Sequence, residues 1–275
     1  MLDTIGDTPL PLHKSAGRDL IDGARRVRVW TRLGWMEVKR RYRRTVLGPF
    51  WSAITMAVFV ATLGTVGMTL WNQDPHTYLP YLTAGVLTWT MISTSIGEAC
   101  SVLLTNANLY RNSRCDYSLL AYALVWRNLL VFLHHLAVYV VIALVLAPHL
   151  LMSWATLLLL PGLALLALNG LWLTLLLGMA CLRFRDVQQV VGNVLQIAFL
   201  VTPILWPADQ LAGTGRFVFA QLNPVHHCVD LVRGPLLGKA PALESYLVVI
   251  GVAALGWLVT YLVLGRFRAR IPYWA

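Results

Sequence analysis

Charged residues are scarce in this chain of 275 residues: only 12% of the positions are Asp, Glu, Lys or Arg, and 58% are hydrophobic. Soluble domains carry about 25% charged residues. The deficit excludes an ordinary soluble protein and indicates an all-α integral membrane protein, because apolar helices satisfy their backbone polar groups inside lipid. The first 20 residues are polar and lack an apolar core, so no cleavable signal peptide is expected.

The sequence also lacks the residue patterns of metal sites and disulfides. It contains four cysteines, none of them in a CxxC pair, and scattered cysteines in apolar segments are typical of small packing residues. Adjacent histidines occur at 134–135 and at 226–227. Neighbouring residues on a helix point about 100° apart, so neither pair can grip one ion together. No metal site is therefore predicted.

Catalytic and nucleotide-binding motifs are missing as well. The chain shows no serine or cysteine triad, zinc motif or pair of carboxylates. Residues 234–240 superficially resemble a phosphate-binding loop, but their two glycines stand one residue too close together and Ala240 replaces the required Ser or Thr. We therefore predict that the chain is not an enzyme and holds no nucleotide or other cofactor of its own.

Basic residues, in contrast, are plentiful, and they lie beside apolar segments. The formal net charge is +10. Five of the six residues at positions 39–44 are basic, and they stand shortly before Gly48-Pro49 and a long apolar run. Such a cluster costs several kcal/mol per charge in hydrocarbon, whereas anionic headgroups attract it by about 1 kcal/mol per residue. The junction therefore predicts where the chain begins to cross a membrane. The bilayer explains the charge without nucleic acid as a partner.

Four regions are predicted along the chain. Residues 1–16 form a flexible cytoplasmic tail, residues 17–48 an amphipathic interfacial helix with the basic junction, residues 49–265 the transmembrane domain, and residues 266–275 a second cytoplasmic tail. Apolar residues between positions 20 and 33 recur every three or four residues among arginines, which is typical of a helix at the membrane interface. A surface helix packed on a partner protein is the alternative interpretation.

Six apolar segments are predicted to span the membrane, for which a helix needs about 20 residues. They are residues 49–70, 78–101, 123–147, 154–182, 187–206 and 243–265. Eleven Lys and Arg precede the first span, none follows in 71–77, and basic connections continue to alternate with uncharged ones. Because basic connections stay inside, both termini are predicted to be cytoplasmic. The exception is segment 207–242, which carries Arg216, Arg233 and Lys239 on the outside.

Segment 207–242 is predicted to contain an outer re-entrant helix. Asn223-Pro224 is a helix-start signal, and Gly234-Pro235 breaks the apolar stretch that follows it. This stretch is too short to span, and irregular backbone at membrane depth is tolerated only against protein or water. We therefore expect a short helix that dips into the outer leaflet or caps a cavity.

Two spans carry polar side chains on one face. Gln189, Asn193 and Gln196 are spaced i, i+4 and i+7 in the fifth span, and three amides are costly against lipid. Pore lining and hydrogen bonding between helices explain them equally well. The first span carries Ser52, Thr55, Phe59 and Thr62 on roughly one stripe. This signal is weaker because hydroxyls can bond back to their own helix, but both faces together suit a passage for a polar, uncharged chain such as a carbohydrate.

Three residues of the second span have alternative interpretations. Glu98 is a lone acid near the inner end, and without relay partners a role in proton coupling is not favoured. Tyr81 and Trp89 are able to stack on sugar rings, but packing within the protein is the favoured explanation.

Three stretches resemble one known family. Residues 41–51, RYRRTVLGPFW, resemble the start of the membrane subunits of type-2 ABC exporters for polysaccharides such as O-antigen, galactan and teichoic acid. Residues 183–206 resemble the fourth connection and fifth helix of that family, and residues 223–234 resemble its outer re-entrant segment. The resemblance covers nearly the whole chain after Arg25 and is closest to the O-antigen and galactan type.

This resemblance implies a homodimer with two copies of a separate ABC ATPase subunit, which would hold ATP and Mg. The implied substrate is a glycan on an undecaprenyl diphosphate-type lipid in the bacterial inner membrane. Arg40, Arg41, Arg43 and Arg44 would attract the diphosphate. The channel would be lined by Ser52, Thr55, Phe59, Thr62, Gln189, Asn193 and Gln196. Segment 104–120 would couple to the ATPase through Tyr110, Arg111, Arg114 and Asp116. Asn223, Pro224 and Arg233 would form the outer gate.

Other functions remain open at this point. A type-2 ABC exporter of a drug or small lipid would favour an apolar channel, against which the amides of the fifth span count. An integral-membrane enzyme acting on lipid carriers would need a cluster of acids, histidines or arginines at the membrane. A passive scaffold would not act with an ATPase at all.

Overall fold

A computed structural model describes residues 16–48, 50–112, 115–206 and 221–274. Helices connected by short turns make up this part of the chain, without any strand. The predicted tail up to residue 15, the first half of the outer segment with Arg216, and the predicted contact residue Arg114 lie outside the described residues.

Eleven α-helices occur in the described part of the chain. They are α1 (Ala16–Arg25), α2 (Val27–Arg41), α3 (Phe50–Trp71), α4 (Pro75–Thr105), α5 (Ala107–Asn112), α6 (Tyr117–Leu146), α7 (Leu159–Arg183), α8 (Asp186–Val201), α9 (Pro224–Leu236), α10 (Leu243–Phe267) and α11 (Ile271–Trp274). Short 3-10 turns occupy Pro148–Met152, Trp154–Leu158 and Arg268–Arg270.

Five of the helical segments are long and apolar enough to cross a membrane, which identifies a multi-pass membrane protein. They are Phe50–Trp71, Pro75–Thr105, Tyr117–Leu146, Trp154–Arg183 and Leu243–Trp274. The predicted fifth span is instead α8, whose 16 residues extend about 24 Å. A hydrocarbon core is about 30 Å thick, so the count of six helical spans is not confirmed.

Helix α8 ends at Val201 because of the residues that follow it. Pro203 disfavours the helical conformation of the residue before it, and Thr202 is extended with ψ of 135°. Residues 202–206 then continue without helix. The predicted helix therefore extended five residues too far, as hydropathy alone does not register a proline stop.

The bundle has two distinct ends. At one end, which we call the basic end, Asp19 of α1 contacts the start of α6 and Arg268 after α10. Arg183 of α7 lies at the same end, 5.6 Å from the ring centroid of Trp274. At the opposite end, residues 202–206 bind to the first turns of α4, where Tyr78 Oη donates to the carbonyl of Leu205 at 2.7 Å. Residues 185–206 therefore pass from one end of the bundle to the other, although their helix is short.

Helix α4 is the centre of the bundle and packs on α3, α6, α7, α8 and α9. Small residues on its buried face, such as Ala84, Gly85 and Ala99, allow this close approach. Its start is fixed by Asp74, whose carboxylate accepts from the amide of Thr77 at 3.2 Å, with Pro75 at the first helical position.

The amphipathic N-terminal region consists of two helices rather than one, with a break at Arg26. Both pack on α6. The contact requires glycine, because a Cβ added to Gly34 would lie 2.8 Å from the carbonyl oxygen of Ala123. Trp35 and Met36 remain exposed on another face. The region therefore packs on its own chain and also presents an apolar face, as a helix at the membrane interface requires.

Helix α9 is a 13-residue element that begins and ends at the opposite end of the bundle. The amide of Asn223, before its start, donates to Thr202 Oγ1 at 2.9 Å, and Ser153 Oγ donates to the carbonyl of Gly238 after its end. In between, α9 is buried against α4, α7 and α10. The short helix after Asn223-Pro224 is thus confirmed, and its depth in a membrane stays a prediction.

Candidate functional site

The basic junction leaves most of its arginines at the surface. Helix α2 ends at Arg41, and the chain turns through Arg44 with φ of 70° before Gly48 with φ of 57°. Arg40, Arg43 and Arg44 are exposed. Arg41 is exposed too, with 45% of its side chain accessible, although it also has an internal partner. All four arginines predicted to attract a diphosphate are therefore accessible.

That partner is Glu98 of α4, which also accepts from Arg127 of α6. Arg127 Nη2 lies 2.5 Å from Glu98 Oε2, and Arg127 Nη1 binds the carboxylate of Glu37 in α2. Glu98 is thus part of a network of four charged residues rather than a lone acid. No local pattern predicts this network, because the partners of Glu98 stand 57 and 29 residues away.

The network affects the protonation of Arg41, which lies outside the spanning segments. Burial lowers the pKa of its guanidinium, but the hydrogen bond and negative charge of Glu98 outweigh this and raise the pKa above its usual value. Arg41 is therefore a permanent cation whose charge is partly balanced inside the protein.

A cavity of about 420 Å³ lies between α2, α4 and α6 at the basic end. Its wall includes the network of Glu37, Arg41, Glu98 and Arg127 together with Arg40. Hydroxyl and amide groups of Ser101, Thr105 and Asn106 and apolar groups of Val102, Leu120 and Leu124 complete it. The cavity combines opposite charges with polar and apolar wall groups, and a polar lipid headgroup has matching chemistry.

The predicted channel residues lie on two poorly covered helices. Gln189, Asn193 and Gln196 are exposed, and none of the residues of α8 is buried. The apolar residues between them, such as Val190 and Val194, are exposed as well. Helix α8 therefore has both a polar and an apolar face that this chain alone does not cover.

Helix α3 is similarly exposed. Thr55 and Thr62 are exposed, Phe59 is 45% exposed and Ser52 is half-buried. The threonine hydroxyls donate to the carbonyls of Trp51 at 3.0 Å and Val58 at 2.9 Å, so each is satisfied by its own helix. Both α3 and α8 pack on α4. The structure thus places the two predicted polar stripes on helices that flank the same central helix.

The predicted ATPase-contact segment surrounds α5. Arg111 lies in this helix. Tyr110 is buried with its ring centroid 5.2 Å from that of Tyr117, and Asp116 is buried with Arg26 Nη1 at 3.6 Å. Tyr110 and Asp116 therefore support the segment from within this chain rather than forming its exposed surface. Direct contact of this segment with an ATPase stays a prediction.

A residue that the sequence did not single out holds this segment in place. Asp19 is fully buried, and its carboxylate accepts from the amide of Ser118 at 3.0 Å and from Arg268 Nη2 at 2.8 Å. Ser118 Oγ donates to the carbonyl of Asp19 at 2.6 Å. Asp116 stands at the cap position of α6 but its side chain makes no capping bond, so Asp19 of α1 supplies the carboxylate instead.

The residues predicted to gate the outside join α8 to α9. Asn223 Oδ1 accepts from the amide of Val225 at 2.9 Å, which caps α9, while its Nδ2 binds Thr202. Pro224 is the first residue of α9 and is exposed. Arg233 is buried, donates to the carbonyl of Pro203 at 2.6 Å and lies 4.4 Å from the ring centroid of Tyr81. The carbonyl and the aromatic ring thus compensate the buried charge of Arg233. Its location on the outer side of the membrane stays a prediction.

Comparisons with known sequences point to one protein family. The sequence profile of the family described as ABC-2 type transporter matches residues 28–237. An "O-antigen export system permease protein RfbA" from Myxococcus xanthus is 27% identical over 193 residues, which cover 69% of this chain and 72% of that protein. A protein of the same name from Klebsiella pneumoniae is 23% identical over 179 residues, which cover 64% of this chain and 67% of that protein. The family match includes the cavity, α3, α8 and α9.

Proposed function

Because this chain belongs to the ABC-2 type transporter family, we propose that it is the membrane subunit of an ATP-driven exporter of a lipid-linked polysaccharide. Its similarity to two O-antigen export permeases supports an O-antigen or related glycan as the cargo. The carrier is proposed to be a lipid diphosphate of the undecaprenyl type. The chain would act in the bacterial inner membrane with both termini in the cytoplasm, where the positive-inside rule puts the basic end.

The observation that carries the proposal is the exposure of α8. Gln189, Asn193 and Gln196 are uncovered on a helix within a bundle whose other apolar helices are suited to lipid. Exposed amides are costly against hydrocarbon. Their exposure is explained if a second copy of the chain covers the apolar face of α8 while the amides line a passage between the two copies. The exposed threonines of α3 would line the same passage.

The chemistry of these faces suits a moving polysaccharide. Amide groups both donate and accept hydrogen bonds, and the threonine oxygens keep acceptor capacity after donating to their own helix. A sugar chain offers many hydroxyls that make similar bonds in succession. Weak and repeated bonds let such a chain advance, whereas one tight site would hold it in place.

The energy for transport would come from a separate chain. We assign docking of an ABC ATPase to the surface around α5 at the basic end, with ATP and Mg held by that partner. The buried contacts of Tyr110, Asp116 and Asp19 would make the segment rigid enough to transmit a movement to α6 and α1. In this proposal the chain itself carries out no chemical reaction.

Replacing the three amides of α8 tests the proposal. The variant Q189L/N193L/Q196L should reduce surface polysaccharide by about tenfold or more. Each lost hydrogen bond weakens the interaction between the glycan and the lining of the passage by about 1 kcal/mol. The glycan should then accumulate on its lipid carrier inside the cell. Surface polysaccharide is measured by immunoblot against the amount of permease in the membrane.

The matched control is Q189N/N193Q/Q196N, which keeps an amide at each of the three positions and changes only the length of the side chain. It should retain most of the export. Normal surface polysaccharide in the amide variant would contradict the assignment of these residues to the passage. No accumulation of lipid-linked glycan after deletion of the whole chain would contradict the exporter itself.

A further inference from the structure

The cavity at the basic end has an unbalanced set of charges. Its wall carries three arginines, Arg40, Arg41 and Arg127, against two carboxylates, Glu37 and Glu98. One positive charge is therefore left over. A concave wall with an excess of one sign attracts a ligand of the opposite sign.

Arg127 is the arginine of this set that makes the most ion pairs and yet keeps an unsatisfied donor. Its side chain is only 13% exposed, and its Nη1 and Nη2 bind Glu37 and Glu98. Within the described ranges its Nε is buried without a hydrogen-bond partner. A guanidinium has five N–H donors, and an unsatisfied buried donor costs free energy. An additional acceptor in the cavity would remove that cost.

The carboxylate of Glu98, in contrast, already accepts hydrogen bonds from two guanidinium groups. Arg41 and Arg127 both bind its carboxylate, and Glu98 is 20% exposed. A phosphate group offers more oxygens than a carboxylate and accepts bidentate hydrogen bonds from arginine. It can therefore take the place of Glu98 between the two arginines. The apolar wall of Val102, Leu120 and Leu124 would receive the beginning of a hydrocarbon chain.

We propose that this cavity binds the diphosphate headgroup of a lipid-linked substrate, and that Glu98 is an internal anion which the headgroup displaces from Arg41 and Arg127. This inference rests on the proposed function and names the place where the carrier is recognised. When the cavity is empty, Glu98 keeps the two arginines in position and limits the binding of weaker anions.

The displacement also gives a reason for selectivity. Release of Glu98 leaves Glu37 opposite three arginines in the cavity wall, so two positive charges are then uncompensated. A headgroup with a single negative charge leaves at least one guanidinium without compensation, which is unfavourable in a partly buried site. A diphosphate carries enough charge and enough oxygens for both. Ordinary anionic phospholipids should therefore bind more weakly than a prenyl diphosphate.

The test measures binding of tritiated geranylgeranyl diphosphate to the purified full-length chain in detergent. Arg127→Gln and Arg41→Gln should each weaken binding by about tenfold or more, because each removes charge-assisted hydrogen bonds. Glu98→Gln should strengthen binding by about tenfold, because the headgroup no longer competes with a carboxylate. Arg32→Gln removes one exposed charge from the same helix outside the cavity and should bind as the wild type does.

Competition separates the possible sources of the phosphate chemistry. Unlabelled inorganic pyrophosphate should displace the probe, whereas phosphatidylglycerol at the same concentration should not. Equal displacement by phosphatidylglycerol would overturn the selectivity for a diphosphate. Failure of pyrophosphate to compete would overturn recognition through the headgroup.

Binding to the variants tests the cavity separately from the proposed transport function. Wild-type binding in both arginine variants would overturn the cavity as the site and leave the exporter proposal standing. Unchanged or weaker binding in Glu98→Gln would overturn the displacement. Arg41 lies at the end of α2 and its side chain is 45% exposed, so Arg41→Gln decides the question even when Arg127→Gln does not fold. No binding to the wild type would overturn both the site and the diphosphate carrier.

Discussion

At the scale of single residues, the carboxylate of Asp19 joins three parts of the chain that are far apart in sequence. It contacts the first residues of α6 and, 249 positions away, Arg268 behind α10. The guanidinium of Arg268 also lies 5.4 Å from the ring centroid of Tyr117. The start of α6, which follows the proposed ATPase-docking segment, is therefore tied to both termini of the described chain.

Asp19→Asn should lower the thermal stability of the chain. Asparagine keeps one acceptor oxygen but leaves Arg268 without its buried counter-charge, and breaking a buried ion pair costs about 3–5 kcal/mol. The melting temperature of the purified protein in detergent measures the loss. Arg268→Gln should show a similar decrease.

The double variant D19N/R268Q is the control that isolates the pair. Because the two side chains contact each other, their effects should be strongly non-additive, with the double variant close to either single one. Additive losses would show that the two residues act separately. An unchanged melting temperature in Asp19→Asn would contradict the role of the buried charge.

The arginines of the basic junction differ in role despite being adjacent in sequence. All of them are exposed, but Arg41 is also bound to Glu98. Sequence position alone assigned all four arginines from Arg40 to Arg44 to the same task. Arg40 and Arg41 line the cavity at the basic end, whereas Arg43 and Arg44 lie outside its wall. Attraction of an anionic headgroup by Arg43 and Arg44 stays a prediction.

At the scale of the elements, residues 202–206 form a strap that holds the end of α8 against α4. The hydroxyl of Tyr81 donates to the carbonyls of Pro203 at 3.0 Å and Trp206 at 3.1 Å. Arg233 of α9 binds the carbonyl of Pro203 from the other side. These contacts compensate backbone groups that left the helix at Pro203, as a buried non-helical backbone requires.

Arg233→Gln should loosen this strap. The substitution removes a charge-assisted hydrogen bond and the contact with the Tyr81 ring, which together contribute about 2–3 kcal/mol. Hydrogen exchange of peptides covering residues 186–206 should become about tenfold faster or more. Mass spectrometry of the deuterated protein provides the measurement.

Lys239→Gln serves as the matched control, because Lys239 is an exposed cation that follows the same helix. Its exchange in residues 186–206 should equal that of the wild type. If hydrogen exchange in residues 186–206 of Arg233→Gln is as slow as in the wild type, Tyr78 and Tyr81 hold the strap without Arg233.

At the scale of the whole molecule, the exposed surfaces are unequal in composition. Helix α10 exposes apolar side chains such as Leu255 and Leu258, as expected for a helix against lipid. Helix α8 exposes apolar side chains beside three amides. A closed dimer with two-fold symmetry would cover α8 and α3 of both copies, because such an interface uses the same patch twice.

Cysteine cross-linking tests this arrangement. Val58 in α3 and Val194 in α8 are 62% and 57% exposed. The variant V58C/V194C should form a covalent dimer in native membranes after oxidation with copper phenanthroline, because a disulfide needs Cα atoms within about 7 Å. Gel electrophoresis without reductant measures the dimer.

The control is Leu258→Cys in α10, which matches Val194 with an exposure of 57% but faces the proposed lipid side. It should remain monomeric on the gel. Equal cross-linking of Leu258→Cys would indicate random collisions, and a monomeric V58C/V194C would contradict the proposed interface.

The membrane class of the protein and most of its helices followed from local sequence. Five of the six predicted spans correspond to helices of sufficient length, and the helix that starts after Asn223 lies where its turn signal predicted it. Local sequence is informative here because lipid forces every backbone polar group to be paired within its own helix. The hydrophobic run and its capping residues then determine where each helix lies.

The sequence alone thus determined a helical membrane bundle with one strongly basic end. Only the tertiary structure decided that Glu98 lies between Arg41 and Arg127, that Asp19 caps α6, and that Arg233 is buried. These contacts join residues 29 to 249 positions apart, and helical periodicity carries no information about such pairs. They depend on which helix faces pack together, and side-chain volumes and close glycine contacts across the whole bundle determine that packing.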